Sequence, residues 1–110
     1  MAKTVSFDYK NTHYTLGFDR NTAVLLEQQG FTAEEMMAKP NALVPVLFYT
    51  SFQKYHRGIK RNLVEEIYDK FTNKRELILA LVEAYSETSN TLFDEPKDGD
   101  EGNLTWEQNG

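Results

Sequence analysis

The sequence predicts an α+β domain in which an N-terminal β-hairpin packs on a bundle of about five α-helices, with an acidic tail after it. Three observations carry that reading. Apolar and polar residues alternate as far as Phe18, apolar residues recur every three or four positions from Asp19 to Phe93, and periodicity stops beyond Phe93. Residues 1–93 read as a single globular domain and 94–110 as a flexible tail.

Val5, Phe7 and Tyr9 fall on one side of the first strand, and Tyr14, Leu16 and Phe18 on one side of the second. The polar break Lys10-Asn11-Thr12 between them supplies a hairpin turn. A lone hairpin is marginal in water, so its apolar face must rest on another element. A short helix then runs to Gln29, capped by Asn21 or Thr22, carrying Val24, Leu25 and Leu26 and stopped by Gly30. Thr32 and Glu35 form a capping-box pair for a second short helix, with Phe31 and Met36 as its staple. That helix ends at Lys39-Pro40, because the residue before proline avoids α geometry.

Asn41 to about Gly58 reads as an aromatic helix with Val44, Leu47, Phe48, Phe52, Tyr55 and Ile59 in one stripe. Pro45 fits only near its first turn. Asn62 is placed to cap Leu63 to Phe71, and Asn73 to open a last helix to roughly Phe93. Leu77, Ile78, Leu81, Val82, Tyr85 and Leu92 form that helix's buried side.

Charge separates the two parts. Residues 94–110 hold six acidic side chains against Lys97 and carry the whole net charge of −5, while residues 1–93 hold eleven acids and eleven bases. The acids, Gly and Pro of the tail predict disorder. The chain has no cysteine, which excludes disulfides, thiolate metal sites and thiol catalysis. The N-terminal Met1 to Ser6 lacks the apolar core of a signal peptide. The longest apolar run, Leu77 to Val82, is far short of the ~18 residues that span a bilayer. These features predict a soluble intracellular protein with no membrane partner.

No reaction centre is evident. His13 and His56 lie in different elements and read as surface residues. Glu34-Glu35 and Glu65-Glu66 are adjacent on helices, about 100° apart, and suit first-turn dipole positions better than shared acid–base work. The six glycines match no phosphate loop and the tail acids no calcium loop, so no cofactor or metal and no enzymatic activity are expected.

Binding features are stronger. Lys54, Arg57, Lys60 and Arg61 surround Tyr55 and give a +4 segment if His56 is neutral, readable as a solvated helix end or an edge for an acidic partner. A neutral body and a pI near 5.0 argue against nucleic acid. The Thr72-Asn73 joint suits an ordinary helical hairpin better than a DNA-reading one. Leu104 and Trp106, beyond the acidic leader, have the character of a short linear anchor. With these, the exposed face of the aromatic helix (Phe48, Phe52, Tyr55) completes the candidate protein-binding set.

The order of these pieces resembles the tail assembly chaperones of long-tailed bacteriophages that infect Gram-positive hosts. The residues that carry the likeness are Phe7 to Phe18, Asp19-Arg20-Asn21-Thr22 leading to Leu26-Glu27-Gln28-Gln29-Gly30-Phe31, the Lys39-Pro40 break, Leu47 to His56, Leu77 to Tyr85 and the acidic tail. The resemblance implies a non-enzymatic factor that escorts the tape measure protein, helps recruit tail tube protein, and stays in the host cytoplasm rather than in the virion. It also implies a longer frameshifted product, to which the tail would be the linker. Self-association is compatible with such a role, though no heptad is sustained. A head–tail connector or tail-completion protein is the alternative from another class, with a small nucleic-acid-binding regulator behind it.

Overall fold

A computed structural model describes residues 3–93 and 107–108. The expected disordered tail, with Leu104 and Trp106, lies outside the described residues apart from Glu107 and Gln108. Among the described residues, an antiparallel hairpin of β1 (Val5–Tyr9) and β2 (Thr12–Leu16) precedes five α-helices, so the fold is α+β. The helices are α1 (Arg20–Gln28), α2 (Ala33–Ala38), α3 (Pro40–Ser51), α4 (Arg61–Lys70) and α5 (Lys74–Asn90), with a 3₁₀ turn at Thr91–Phe93.

The hairpin pairs Tyr9 with Thr12 and Val5 with Leu16. Lys10 and Asn11 both have positive φ, 50° and 64°, which makes their two-residue loop a type I′ turn matched to the strand twist. Tyr14, Leu16 and Phe18 are buried and Val5, Phe7 and Tyr9 half-buried, as the alternation requires. Phe7 stacks on Tyr14 at 5.4 Å between centroids and meets Phe71 edge-on at 5.0 Å. Phe52 sits against Tyr14 at 5.9 Å and Phe48 at 5.1 Å. One aromatic cluster thus joins the sheet to α3 and to the end of α4, and the rings bury much apolar area per residue.

Several boundaries differ from the sequence reading. The cap of α1 is Asp19, whose carboxylate accepts from the Thr22 amide at 2.9 Å while the Thr22 hydroxyl accepts from the Asp19 amide at 2.8 Å. Gly30 does stop α1. It has φ +79°, its amide donates to Glu27 O, and the Phe31 amide reaches back to Leu26 O at 3.1 Å, a Schellman ending. Val24 and Leu25 are exposed. At α2, Thr32 Oγ1 accepts from the Glu35 amide, but the Glu35 carboxylate turns to Lys39 at 3.6 Å instead of closing the box.

Lys39 is shared by two helices. Its amide donates to Glu35 O at 2.7 Å and closes α2, while its carbonyl accepts from Leu43 at 3.1 Å and opens α3. Pro40 therefore starts α3, the first-turn position where its missing amide is harmless. Pro45 falls inside the helix, where it has no amide hydrogen to give to the carbonyl of exposed Asn41.

The helix ends at Ser51, well before Gly58. The Ser51 carbonyl that would extend it accepts instead from the Gly17 amide of the hairpin at 3.0 Å, and the Ser51 hydroxyl donates back to Phe48 O. Residues 52–58 are turns and a bend and 59–60 are irregular, so Tyr55 and Ile59 leave the helical stripe. Lys60, not Asn62, precedes α4, and no acid lies in its first turn. In α5 the buried stripe runs through Leu77, Ile78, Leu81, Ala84 and Thr88. Leu92, placed by the sequence in the core, is exposed because the helix has ended at Asn90.

Candidate functional site

The predicted aromatic binding face does not form. Phe48 is 2% and Phe52 0% exposed, both inside the core. Their helical spacing records packing under the hairpin. Tyr55 is 45% exposed, but in the turn after α3, with Lys54 Nζ 5.0 Å from its ring centroid. Arg57 and Lys60 are exposed on the same loop. The basic segment is thus a connection between helices, not the C-terminal turn of one, and Arg61 begins α4. Arg61 stacks its guanidinium on Tyr49 at 4.5 Å.

His56 is not the ordinary surface residue its sequence context suggests. Its Nε2 accepts a 3.0 Å hydrogen bond from the Thr15 amide, and its ring lies 5.0 Å from Tyr14. It caps the outer edge of β2. His13 stays on the surface, 2.8 Å from Asp8. Glu66 is also more than a helix-end charge. The Tyr9 hydroxyl donates to it and Lys10 Nζ lies 3.2 Å away, tying the hairpin tip to α4. The Tyr9 hydrogen bond, then Lys10, holds the Glu66 carboxyl below the usual glutamate range, and the same contacts raise Tyr9 and Lys10.

What the fold does present is a groove between α3 and α4. Val44, Pro45, Phe48 and Tyr49 on one side face Arg61, Val64, Glu65, Tyr68 and Asp69 on the other, around a cavity of about 290 Å³. Both sets follow the three-to-four spacing of one helix face, covering roughly 12 Å of α4 at 1.5 Å per residue. Val44 and Tyr68 also wall a second recess of about 300 Å³ with Met37, Pro40, Ile78, Lys74 and Arg75. The two recesses share Val44 and Tyr68 as a common wall, and apolar side chains make up much of the lining of each. Arg61, Glu65 and Asp69 form one rim and Lys74 and Arg75 stand at the far end, with Met37 69% exposed beside them. Burial, and then the charge of Asp69, raise the Tyr68 hydroxyl, so this tyrosine stays protonated as a donor.

The groove escaped sequence reading because Val44, Val64 and Tyr68 have the periodicity of core residues. Among the described residues no element covers α3 and α4 on that side, which leaves Val44 and Tyr68 half-buried while Val64 beneath them is buried. Among the described residues, no group of His, Asp and Glu is arranged to hold a metal ion, and no helix is long and apolar enough to cross a membrane.

No curated protein and no solved structure matches the chain. A family profile spans residues 1–109, from the hairpin to the end of the acidic tail. The chain belongs to the family described as Domain of unknown function (DUF5055).

Proposed function

We propose that this protein is a non-enzymatic tail assembly chaperone of a long-tailed bacteriophage. It binds helical segments of the tape measure protein and helps recruit tail tube subunits. The work is done in the host cytoplasm, and the chain is absent from the finished particle. The observation that supports this reading is the apolar groove between α3 and α4, edged by Arg61, Glu65 and Asp69 and adjoined by a second recess at Val44 and Tyr68. An amphipathic helix lays its apolar stripe into such a groove and its flanking charges against the rim. The likeness of Phe7 to His56 to known tail chaperones supports the identity of the client. Burial of Phe52, and of all but an edge of Phe48, favours this groove over the aromatic stripe as the binding face.

The test is coexpression of the full chain with the tape measure protein and measurement of the amount retained. Val44→Glu and Arg61→Glu reduce retention about tenfold or more, as loss of a groove anchor of ~1.4 kcal/mol would. Leu25→Gln, on the exposed face of α1, leaves it unchanged. Undiminished retention by both groove variants contradicts the reading. Mass spectrometry of purified particles gives the second criterion: a stoichiometric signal from this chain favours a connector.

A further inference from the structure

We infer that two copies of this chain pair through the outer edge of β1, forming a continuous four-stranded antiparallel sheet across a two-fold axis. The inference does not depend on the chaperone reading.

The backbone of the hairpin has two edges, and they are treated differently. With Tyr9 and Thr12 closing the turn, the hydrogen-bonded pairs are Tyr9–Thr12, Phe7–Tyr14 and Val5–Leu16. The alternate residues point their amides outward: His13, Thr15 and then Gly17 from the second strand, Ser6 and Asp8 from β1. On the β2 side, Thr15 donates to His56 Nε2 and Gly17 to Ser51 O, so the end of α3 and the loop after it close that edge. The exception is the His13 amide near the turn, which has no partner among the described residues. On the β1 side, neither Ser6 nor Asp8 has a backbone partner among the described residues. An open strand edge of this kind is a template for another strand.

The edge also has somewhere to put the incoming side chains. A recess of about 130 Å³ opens beside it, lined by Phe7, Asp8, Tyr9, Ile67, Lys70 and Phe71. A strand laid along β1 directs every second residue over that recess. The best-matched strand for it is β1 itself. With the two-fold axis at Phe7, the full length Val5–Tyr9 overlaps its copy. The inward row is then Val5 opposite Tyr9, Phe7 opposite Phe7 and Tyr9 opposite Val5, all apolar contacts. The outward row sets Ser6 of each copy opposite Asp8 of the other, a hydroxyl against a carboxylate. Shifting the axis to Asp8 would oppose two carboxylates, which is destabilising. Centred on Phe7, the pairing gives Ser6 and Asp8 of both copies their missing backbone partners. Self-complementarity of one patch is what a two-fold interface requires.

Sedimentation equilibrium of the full chain measures the dimer, with a melt at low concentration to confirm that each variant monomer folds. Ser6→Pro removes an outward donor that the hairpin does not use and weakens dimerisation about tenfold or more, counting its loss from both copies. Ser6→Asp sets like charges opposite Asp8 and also weakens it, whereas Ser6→Lys sets unlike charges there and strengthens it. Hydrogen exchange at the Ser6 and Asp8 amides slows as concentration rises. A chain that stays monomeric at every concentration overturns the inference. A dimer indifferent to Ser6→Pro and Ser6→Asp, or one that Ser6→Lys breaks, overturns it equally.

Discussion

The Thr15 amide and the His56 imidazole meet at 3.0 Å, and through that bond the loop after α3 covers the middle of one edge of the sheet. An amide donor needs a lone pair on Nε2, so the ring holds its hydrogen on Nδ1 in this arrangement. His56→Phe keeps the ring contact with Tyr14 but leaves the Thr15 amide without a partner, at a cost of about 1–3 kcal/mol. Urea unfolding measures the loss. His56→Gln, which can return an acceptor, recovers part of it.

The core and surface aromatics separate cleanly by substitution. Phe52→Ala removes a ring with no exposure and costs about 3–5 kcal/mol. Tyr55→Ala, at a half-exposed turn position, costs less than about 1 kcal/mol. Equal effects in a denaturation series would show that the two rings share one environment.

Gly30 tests the Schellman ending of α1. Its φ of +79° leaves open space around a new methyl group, so Gly30→Ala meets backbone strain and no clash. The expected loss is about 1 kcal/mol, read as a lower urea midpoint at unchanged slope.

Glu66 gives the hairpin tip a pH dependence. Its carboxyl is depressed in the folded chain, so its stabilising contribution is complete above the ordinary glutamate range. Acidification through the folded value removes it. Tyr9 and Lys10 are raised, so their contributions hold below their ordinary ranges and fade as alkali takes the pH through the raised values. Glu66→Gln should therefore lower the melting temperature at neutral pH and make no difference in strong acid. Glu66 and Lys10 are exposed, and the neutral-pH difference is correspondingly small.

The hairpin, its turn and the five helices were legible because each rests on local signals: alternation, Asn in the turn, Gly30 after Gln29, Pro40 after Lys39. The end of α3 was not. It depends on Gly17, distant in sequence, taking the Ser51 carbonyl that a longer helix would have used. Asp19 displaced Asn21 as the cap of α1 because it alone gains a reciprocal bond with Thr22. The binding face was misread for a related reason. Phe48 and Phe52 have a spacing that any amphipathic helix shows, and only the hairpin laid over them decides that they are inside. The groove's Val44 and Tyr68 look the same in sequence, yet nothing among the described residues covers them fully.

The bond between Gly17 and Ser51 also bears on how the chain is made. The ribosome releases the two strands before the partners that close their edge and pack on Phe7 and Tyr14, which arrive only with Ser51, Phe52 and His56. Until His56 has emerged, some forty residues after the hairpin, both rims of the nascent hairpin and its aromatic rings are left to water.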